Sequence, residues 1–413
     1  MKHKALKFIF IFVISVITLL IVAYFVLFFR KSDEQKVGQE IIDRQSIEIE
    51  DIIKSRQAEE TAIDNKVDPF GEDGLVRVLL IGLDSRAGQT AGHCDVIQMI
   101  EIDKNKSNIQ VTAVPRGTYS PLPPGKASTS TDYYVSNACG LAGLEYGIDK
   151  IEKILGKKAD YLVMVGFSET LGILRNLKLP TTETLQWLRQ RQGYAIGEPQ
   201  RARNHSTFIK QLMTKYLPEK ESKLDLPFHY ILYKLVKTDL SFSQSEKIVE
   251  VLINMDLKNN SEKITLAMRP SYNVQDIPYD PATAGEYVQK MIGPIKNYLS
   301  GTSYTGIDTV EADQRIVDKI DEQSNDAEFI KWAFDNQLWL QIEDDTMREE
   351  NHYDIMINYI SRLTVKDDKE QVVSDYILEM KYLGLDNWAN KGEELLKIEI
   401  ANPDLVGTRG FNF

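Results

Sequence analysis

Residues 78–86 read Val78-Leu79-Leu80-Ile81-Gly82-Leu83-Asp84-Ser85-Arg86. The apolar run is too continuous for a strand with one wet face and predicts a strand covered on both sides. It stops abruptly at an acid and a base, Asp84 and Arg86. Working outward, the same character recurs at Val96–Asp103, Ile109–Val114, Tyr161–Phe167 and Ile264–Met268. Lys104-Asn105-Lys106-Ser107-Asn108 reads as the hairpin loop between two of these strands. Helical spacing fills the intervals Ser136–Leu155, Ser168–Asn176, Arg203–Tyr216, Ser243–Met255 and Ala282–Leu299. Ser243, with Glu246 three residues on, reads as a capped helix start. Strands alternating with helices predict an α/β fold, a mixed central sheet flanked by helices.

Beyond Ser300-Gly301-Thr302-Ser303 the strand signal stops. Phe329, Trp332 and Ala333, then Ile355, Ile357, Tyr359 and Ile360, then Val372, Val373, Tyr376, Ile377 and Met380 recur at helical spacing. These predict a C-terminal all-α domain of three to five helices, with aromatics that fill a core rather than hold a ligand.

At the other end, Phe8–Phe29 is apolar except for Ser15 and Thr18. That matches the ~20 residues needed to cross a bilayer. No small-x-small cleavage site follows, so the segment reads as an N-terminal transmembrane helix and signal anchor rather than a cleaved leader. Lys2, Lys4 and Lys7 precede it and Arg30 and Lys31 follow, so the charge balance favours a cytoplasmic N-terminus by a small margin only, and the lack of a second apolar span in the sequence weighs more. The expected organisation is a cytoplasmic N-terminus at 1–7, the anchor at 8–29, a helical stalk or linker at 30–74, a catalytic domain at 75–300, and a helical domain and tail at 301–413. The expected location is the cell membrane, single-pass, with the main domains outside the cytoplasm.

The chain of 413 residues has 49 basic and 61 acidic side chains, a net charge of -12. That argues against nucleic acid as a partner. Yet cations punctuate the strand ends and turns: Arg86, Arg116 in Pro115-Arg116-Gly117-Thr118, Lys126, Arg189, Arg191, Arg201 and Arg203. Arginine's planar fork matches phosphate oxygens, so the pattern points to a phosphate or pyrophosphate site. Asp84 and Asp95 beside it suggest a divalent metal between protein and phosphate. Each residue also has a plainer reading. Arg189 and Arg191 can be surface charges, Asp84 a turn cap, Lys126 a loop lysine, Glu198 an acid at a helix start, and His205 a structural residue at a helix start. Cys94 and Cys139 are either a disulfide, which an extracytoplasmic location permits, or two buried thiols. Walker, His-Glu-x-x-His, Cys-x-x-Cys and Gly-x-Ser-x-Gly motifs are absent.

The ordered set is Asp84-Ser85-Arg86, Gly92-His93-Cys94-Asp95, Pro115-Arg116-Gly117-Thr118-Tyr119, Lys126, Arg189-Gln190-Arg191 and Gly197-Glu198-Pro199-Gln200-Arg201. Over about residues 75–300 it resembles the LytR-CpsA-Psr family of membrane-anchored cell-envelope phosphotransferases. The resemblance implies transfer of a glycopolymer phosphate from a polyprenyl-pyrophosphate carrier to a cell-wall acceptor on peptidoglycan. It implies Mg²⁺ (or Mn²⁺) on Asp84 and Asp95. Arg116, Arg191 and Glu198 would be catalytic, and Arg86, Lys126, Arg189, Arg201 and Arg203 would bind pyrophosphate. The pattern also departs from the family. His93 stands for an arginine, Cys94 for a small hydroxyl residue, Gly117 for an aspartate, Ala127-Ser128 for Ile-Asn, Glu198 for an aspartate and Asn204 for a further arginine. These departures leave a second reading, a non-catalytic protein of the same fold that binds a pyrophosphate lipid or serves envelope assembly. The C-terminal helices are the expected surface for a protein partner. A transcription regulator conflicts with the anchor and the acidic charge.

Overall fold

In the computed structural model of the protein, the described residues are 48–58, 68–84, 92–217, 225–293 and 309–401. The expected anchor at 8–29 and Arg86 lie outside them. Among the described residues no helix is long and apolar enough to cross a membrane.

Six strands form one sheet: β1 (Leu75–Asp84), β2 (His93–Asp103), β3 (Asn108–Ala113), β4 (Tyr161–Val165), β5 (Lys237–Thr238) and β6 (Ile264–Met268). Their order is β5-β4-β1-β2-β3-β6. β1 runs antiparallel to β2 and parallel to β4, while β3 is antiparallel to β2 and parallel to β6. The sheet is therefore mixed, as the alternating pattern predicts.

Both faces are covered. Leu79 and Ile81 of β1, with Ile97 and Met99 of β2, pack on α2 (Val135–Ala142) and α3 (Leu144–Leu155). α1 (residues 48–58) joins this layer through Ile49, Ile52 and Ile53, so part of the expected stalk is packed on the sheet. Arg56 of α1 pairs with the buried Asp239, whose other oxygen accepts from Leu162 N at 2.7 Å. On the opposite face Val76, Val78, Ile102, Ile109 and Val111 meet Ile209 and Met213 of α6 (Gly197–Lys215) and Ile248 and Leu252 of α8 (Phe242–Asn254). Three further helices flank this body: α4 (Phe167–Asn176), α5 (Thr181–Arg189) and α7 (Leu226–Lys234). α9 (Ala284–Ile292) closes it against α5, with Trp187, Phe208 and Tyr279 between them.

Three helix expectations need correction. The single helix expected over 136–155 is broken into α2 and α3 at Gly143, whose φ of 99° is open to glycine and costly for other residues. α8 is capped by Ser241 rather than Ser243: Ser241 Oγ accepts from Gln244 N at 3.2 Å, and Ser241 N donates back to Gln244 Oε1 at 2.8 Å. α6 begins at Gly197, six residues before the expected start, and this moves several candidate residues onto a helix.

The C-terminal region is all helical among the described residues. It comprises α10 (Thr309–Glu322), α11 (Ala327–Asp335), a 3₁₀ turn (Leu338–Gln341), α12 (Asp345–Ile360), α13 (Lys366–Leu383) and α14 (Asp386–Ala401). Leu235, with the partly buried Ile173 and Leu232, shares a cluster with Phe329, Trp332, Trp339 and Ile355. Arg175 of α4 donates to the carbonyls of Leu340 and Ile342. Packing is thus continuous from the α/β body into the helical unit.

Candidate anion-binding site

β1 and β2 end at one rim of the sheet, with Asp84 opposite His93. Just before the rim lies a β-bulge. Gly82 pairs with Val96 and Leu83 with Cys94, so Asp95 is the extra residue. A bulge reverses side-chain alternation. Ile97 and Met99 face the α2–α3 layer, and strict alternation would turn Cys94 away from it. With the bulge, Cys94 enters that layer and forms a disulfide with Cys139 of α2, Cα–Cα 6.1 Å. Of the two readings of these cysteines, the disulfide is the one formed.

Asp95, left out of the ladder, meets Arg116 at 2.6 Å. Arg116 occupies the turn after β3, held where Thr118 N donates to Pro115 O at 2.9 Å and Ser136 N to Arg116 O at 3.2 Å. Gly117 beside it faces open space, with nothing within 4 Å of where a Cβ would stand.

The second half of the site comes from α6 and the segment before it. Gly197 lets the helix start against the preceding loop, because a Cβ there would come within 2.5 Å of Arg191 O. Pro199 sits in the first turn, where its missing N–H costs nothing. Glu198 and Arg201, three apart on the helix, share a face. Glu198 Oε1 accepts from Arg191 Nη1 at 2.6 Å, and Oε2 lies 3.0 Å from Arg201 Nη2. Arg201 is only 6% exposed, so its charge depends on nearby anions. Burial works against the charge of Glu198, but Arg201, Arg191 and Arg116 outweigh it and hold the carboxyl below its usual range. The charges of Asp95 and Glu198 both act on Arg201, so the two halves form one electrostatic cluster.

The site is therefore Asp95, Arg116, Arg191, Glu198 and Arg201. Three guanidinium groups face two carboxylates, an excess of one positive charge. Asp95 Oδ1, Glu198 Oε2 and Arg201 Nη2 are buried in charge contacts that lack good hydrogen-bond direction. His93 Nδ1 and Thr118 Oγ1, on the same segments, are buried with no hydrogen-bond partner. Such a set is incompletely satisfied without a further polar group.

The other candidates are placed differently. Arg203 follows Arg201 by two residues, which turns it about 200° around the helix. There it pairs with Asp276, outside the cluster. Arg189 is exposed in the last turn of α5, and Lys126 is exposed on the loop after β3. Of Asp84, the structure describes the strand position and not the side chain. His205 lies inside α6, not at its start. Its Nε2 is 2.8 Å from Leu188 O, which only accepts, so Nε2 carries the proton. Burial, with the Arg201 charge, pushes this histidine down to about 4, and it is neutral near pH 7. Its role is structural.

Two positioning groups went unremarked in the sequence. Gln98 is wholly buried in β2, donating to Ala202 O at 3.1 Å and accepting from Ser206 Oγ at 2.7 Å. It fixes α6, and so Glu198 and Arg201, against the strand that carries Asp95. A lone amide within Val96-Ile97-Gln98-Met99-Ile100 was the available signal. Asn204, noted only as a departure, donates to Tyr194 Oη at 3.1 Å and accepts from Gln200 Nε2 at 2.9 Å. It ties α6 to the loop bearing Arg191.

Among the described residues no three His, Cys, Asp or Glu side chains gather into a metal-binding group. The donor chemistry still suits a hard cation that takes one or two carboxylates and completes its shell from substrate phosphates. Asp95 offers one such carboxylate, with an oxygen lacking a well-directed hydrogen bond.

The LytR_cpsA_psr family model matches residues 41–171. The teichoic acid–peptidoglycan transferase TagU of Bacillus mycoides is 22% identical over 212 residues, 50% of this chain and 65% of that protein. TagU of Halalkalibacterium halodurans is 26% identical over 110 residues, 26% of this chain and 33% of that protein. The chain thus spans less than two thirds of either relative. The crystal structure of B. subtilis TagV aligns with 56% of this chain and 100% of its own, at 15% identity and a TM-score of 0.40.

Proposed function

We propose that this chain, matched by the LytR-CpsA-Psr family over residues 41–171, is a cell-envelope glycopolymer transferase acting on a pyrophosphate-linked donor. The observation that carries the reading is the cluster of Arg116, Arg191 and the buried Arg201 around Asp95 and Glu198. Phosphoryl transfer asks a protein chiefly for positioning and for neutralising charge on the phosphate oxygens. An acceptor hydroxyl would attack the sugar-linked phosphorus, the bond to the lipid phosphate would break, and the hydroxyl proton would pass to solvent. The three arginines would hold the non-bridging and leaving oxygens. Glu198, kept anionic by its arginine neighbours, is poorly matched to general-base work near neutral pH and instead orients Arg191 and Arg201. Mg²⁺ or Mn²⁺ would be held by Asp95 and Asp84 with the phosphates, and would supply further charge neutralisation. The polyprenyl carrier, the cell-wall acceptor and a membrane anchor at 8–29 belong to the same proposal, as do weaker outer contacts from Arg86, Arg189 and Lys126.

The test is transfer from a polyprenyl-pyrophosphate glycan to peptidoglycan by the full chain with Mg²⁺. Arg116→Ala and Arg191→Ala should each reduce turnover at least about a hundredfold, the scale of losing one donor aimed at the reacting oxygens. Wild-type turnover in both would remove the clamp from the mechanism. Gly117 and His93 favour the second reading, a binder without turnover, because Arg116 has no carboxylate from its own turn and position 93 carries a histidine in place of a permanent cation. Donor binding with no transfer by the folded chain would select it.

A further inference from the structure

The turn that carries Arg116 continues into a short ribbon. Val135 N donates to Thr118 O at 2.8 Å, Ser120 N donates to Tyr133 O at 2.7 Å, and Tyr119 and Tyr134 are antiparallel bridge partners. Ser136 N, the next donor along, holds Arg116 O at 3.2 Å. One end of the ribbon thus fixes a site arginine, and the other end displays tyrosines. Thr118 and Ser120 turn inward and are buried, while Tyr119 turns outward and is 69% exposed. Tyr134 lies directly across the ribbon on the same face. It is exposed as well, and so is Tyr133. The rings of Tyr119 and Tyr133 stack with centroids 6.0 Å and planes 23° apart.

The ribbon is braced on both sides. Asp132, in the 3₁₀ turn Ser130–Tyr133, accepts from Ser128 N at 2.7 Å, from Thr129 N at 2.9 Å and from Thr129 Oγ1 at 2.9 Å. Asn137 Nδ2 donates to Thr131 O at 2.8 Å, and Tyr146 Oη donates to Pro121 O at 2.9 Å. Among the described residues, three of the eleven large apolar side chains left exposed therefore stand together on one fixed support.

The chemistry of this surface selects a ligand class. The three side chains present ring faces and hydroxyl tips and carry no charge, so they do not extend the phosphate clamp. No Leu, Ile, Phe or Trp is exposed beside them among residues 92–217, so a lipid tail or a greasy protein face finds no aliphatic anchor. The neighbouring exposed side chains are hydroxyls, Ser128-Thr129-Ser130-Thr131. A pyranose ring has apolar C–H faces rimmed by hydroxyls and matches ring faces set among hydroxyls. Position then selects the sugar. Three residues span at most about 10 Å, which puts Tyr119 within roughly two pyranose rings of an oxygen held by Arg116. The donor sugar is covalently joined to the phosphorus and is carried by the arginine clamp. The attacking hydroxyl is uncharged, the clamp gives it no hold, and its attack gains most from a surface that fixes its ring. We infer that Tyr119, Tyr133 and Tyr134 form the acceptor subsite, taking the C–H face of a neutral pyranose ring in a cell-wall glycan strand. The acceptor role rests on the transfer reading, whereas the binding of a sugar ring does not.

The experiment has a binding arm and a kinetic arm. The full chain in phosphatidylglycerol nanodiscs is titrated calorimetrically with the tetrasaccharide of N-acetylglucosamine, a soluble glycan strand. Saturable binding is expected, weakened about tenfold in Tyr119→Ala and in Tyr133→Ala. Tyr119→Phe keeps the ring and should bind within about twofold of wild type. Amide hydrogen exchange over residues 118–135 of the wild type should slow on adding the tetrasaccharide, a readout that needs no variant to fold. In transfer assays Tyr119→Ala should raise the acceptor KM about tenfold with the donor KM unmoved. Glycan binding that depends on the tyrosines in a chain that transfers nothing would remove the catalytic reading and uphold the sugar surface. No saturable glycan binding by the folded wild type, or folded alanine variants that bind as wild type, would overturn the subsite. So would a raised donor KM in place of the acceptor's, or exchange over 118–135 slowed by nanodisc lipid alone relative to detergent.

Discussion

Arg201 and Arg203 show how two residues of one type, two positions apart, part company. As a loop pair they read as one cationic patch. On a helix they point to opposite sides, and only Arg201 reaches Glu198. Arg203→Ala should therefore leave donor binding within about twofold of wild type, since its exposed partner Asp276 is worth little. Arg201→Ala should cost the binding at least about tenfold in the same assay, because it removes a charge-assisted contact. Equal losses in the two variants would contradict the geometry. His205 carries a pH signature. Its folded pKa of about 4 lies below the unfolded value, so as pH falls through about 6.5 the unfolded chain takes up the proton first. This contribution to stability is present above that pH and is lost as pH falls toward 4, on the order of 3 kcal/mol in all. Urea melts of wild type and His205→Gln between pH 7 and 4 should diverge by that amount. Parallel curves would show that burial does not set this histidine's charge.

At the scale of elements, the bulge in β2 organises the site. One inserted residue sends Cys94 to the α2 layer and leaves Asp95 free for Arg116. The disulfide closes a separation of 45 residues that includes β3 and the Arg116 turn. Loop-closure entropy for that span corresponds to about 4 kcal/mol. Replacing both cysteines with serine should lower stability by roughly that much in chemical denaturation. A change under about 1 kcal/mol would mean that α2 and the bulge are held by packing alone. Gly143 acts at the same scale, since helical spacing runs on through residues 136–155 while the backbone turns at its positive φ.

Across the whole molecule, the helical unit and the α/β body share a core around Leu235, Phe329 and Trp339. Gly172 permits the contact, because a Cβ there would come within 2.8 Å of Leu235 and Leu340. Arg175 crosses the junction to two carbonyls. Arg175→Ala would strand both acceptors and should destabilise the chain by about 3 kcal/mol. Calorimetry should show one cooperative transition for the described body, shifted down in the variant. Two well-separated transitions in the wild type would show that the shared cluster does not couple the units.

The strand runs, the helical spacing after residue 309 and the arginines at strand ends were legible in the sequence, because periodicity and composition are local properties. So were Arg116, Arg191 and Asp95 as candidates, since a cation or acid at the end of an apolar run is visible in one dimension. Tertiary structure alone decided which of them meet. The β2 bulge reverses parity, the early start of α6 sets the phase that separates Arg201 from Arg203, and Gln98 fastens that helix to the strand. The unpartnered indole N–H of Trp339 was equally invisible beforehand, because whether a buried donor is satisfied depends on atoms far away in the chain. Local pattern reports what a residue can do, and burial with register determines what it is left to do.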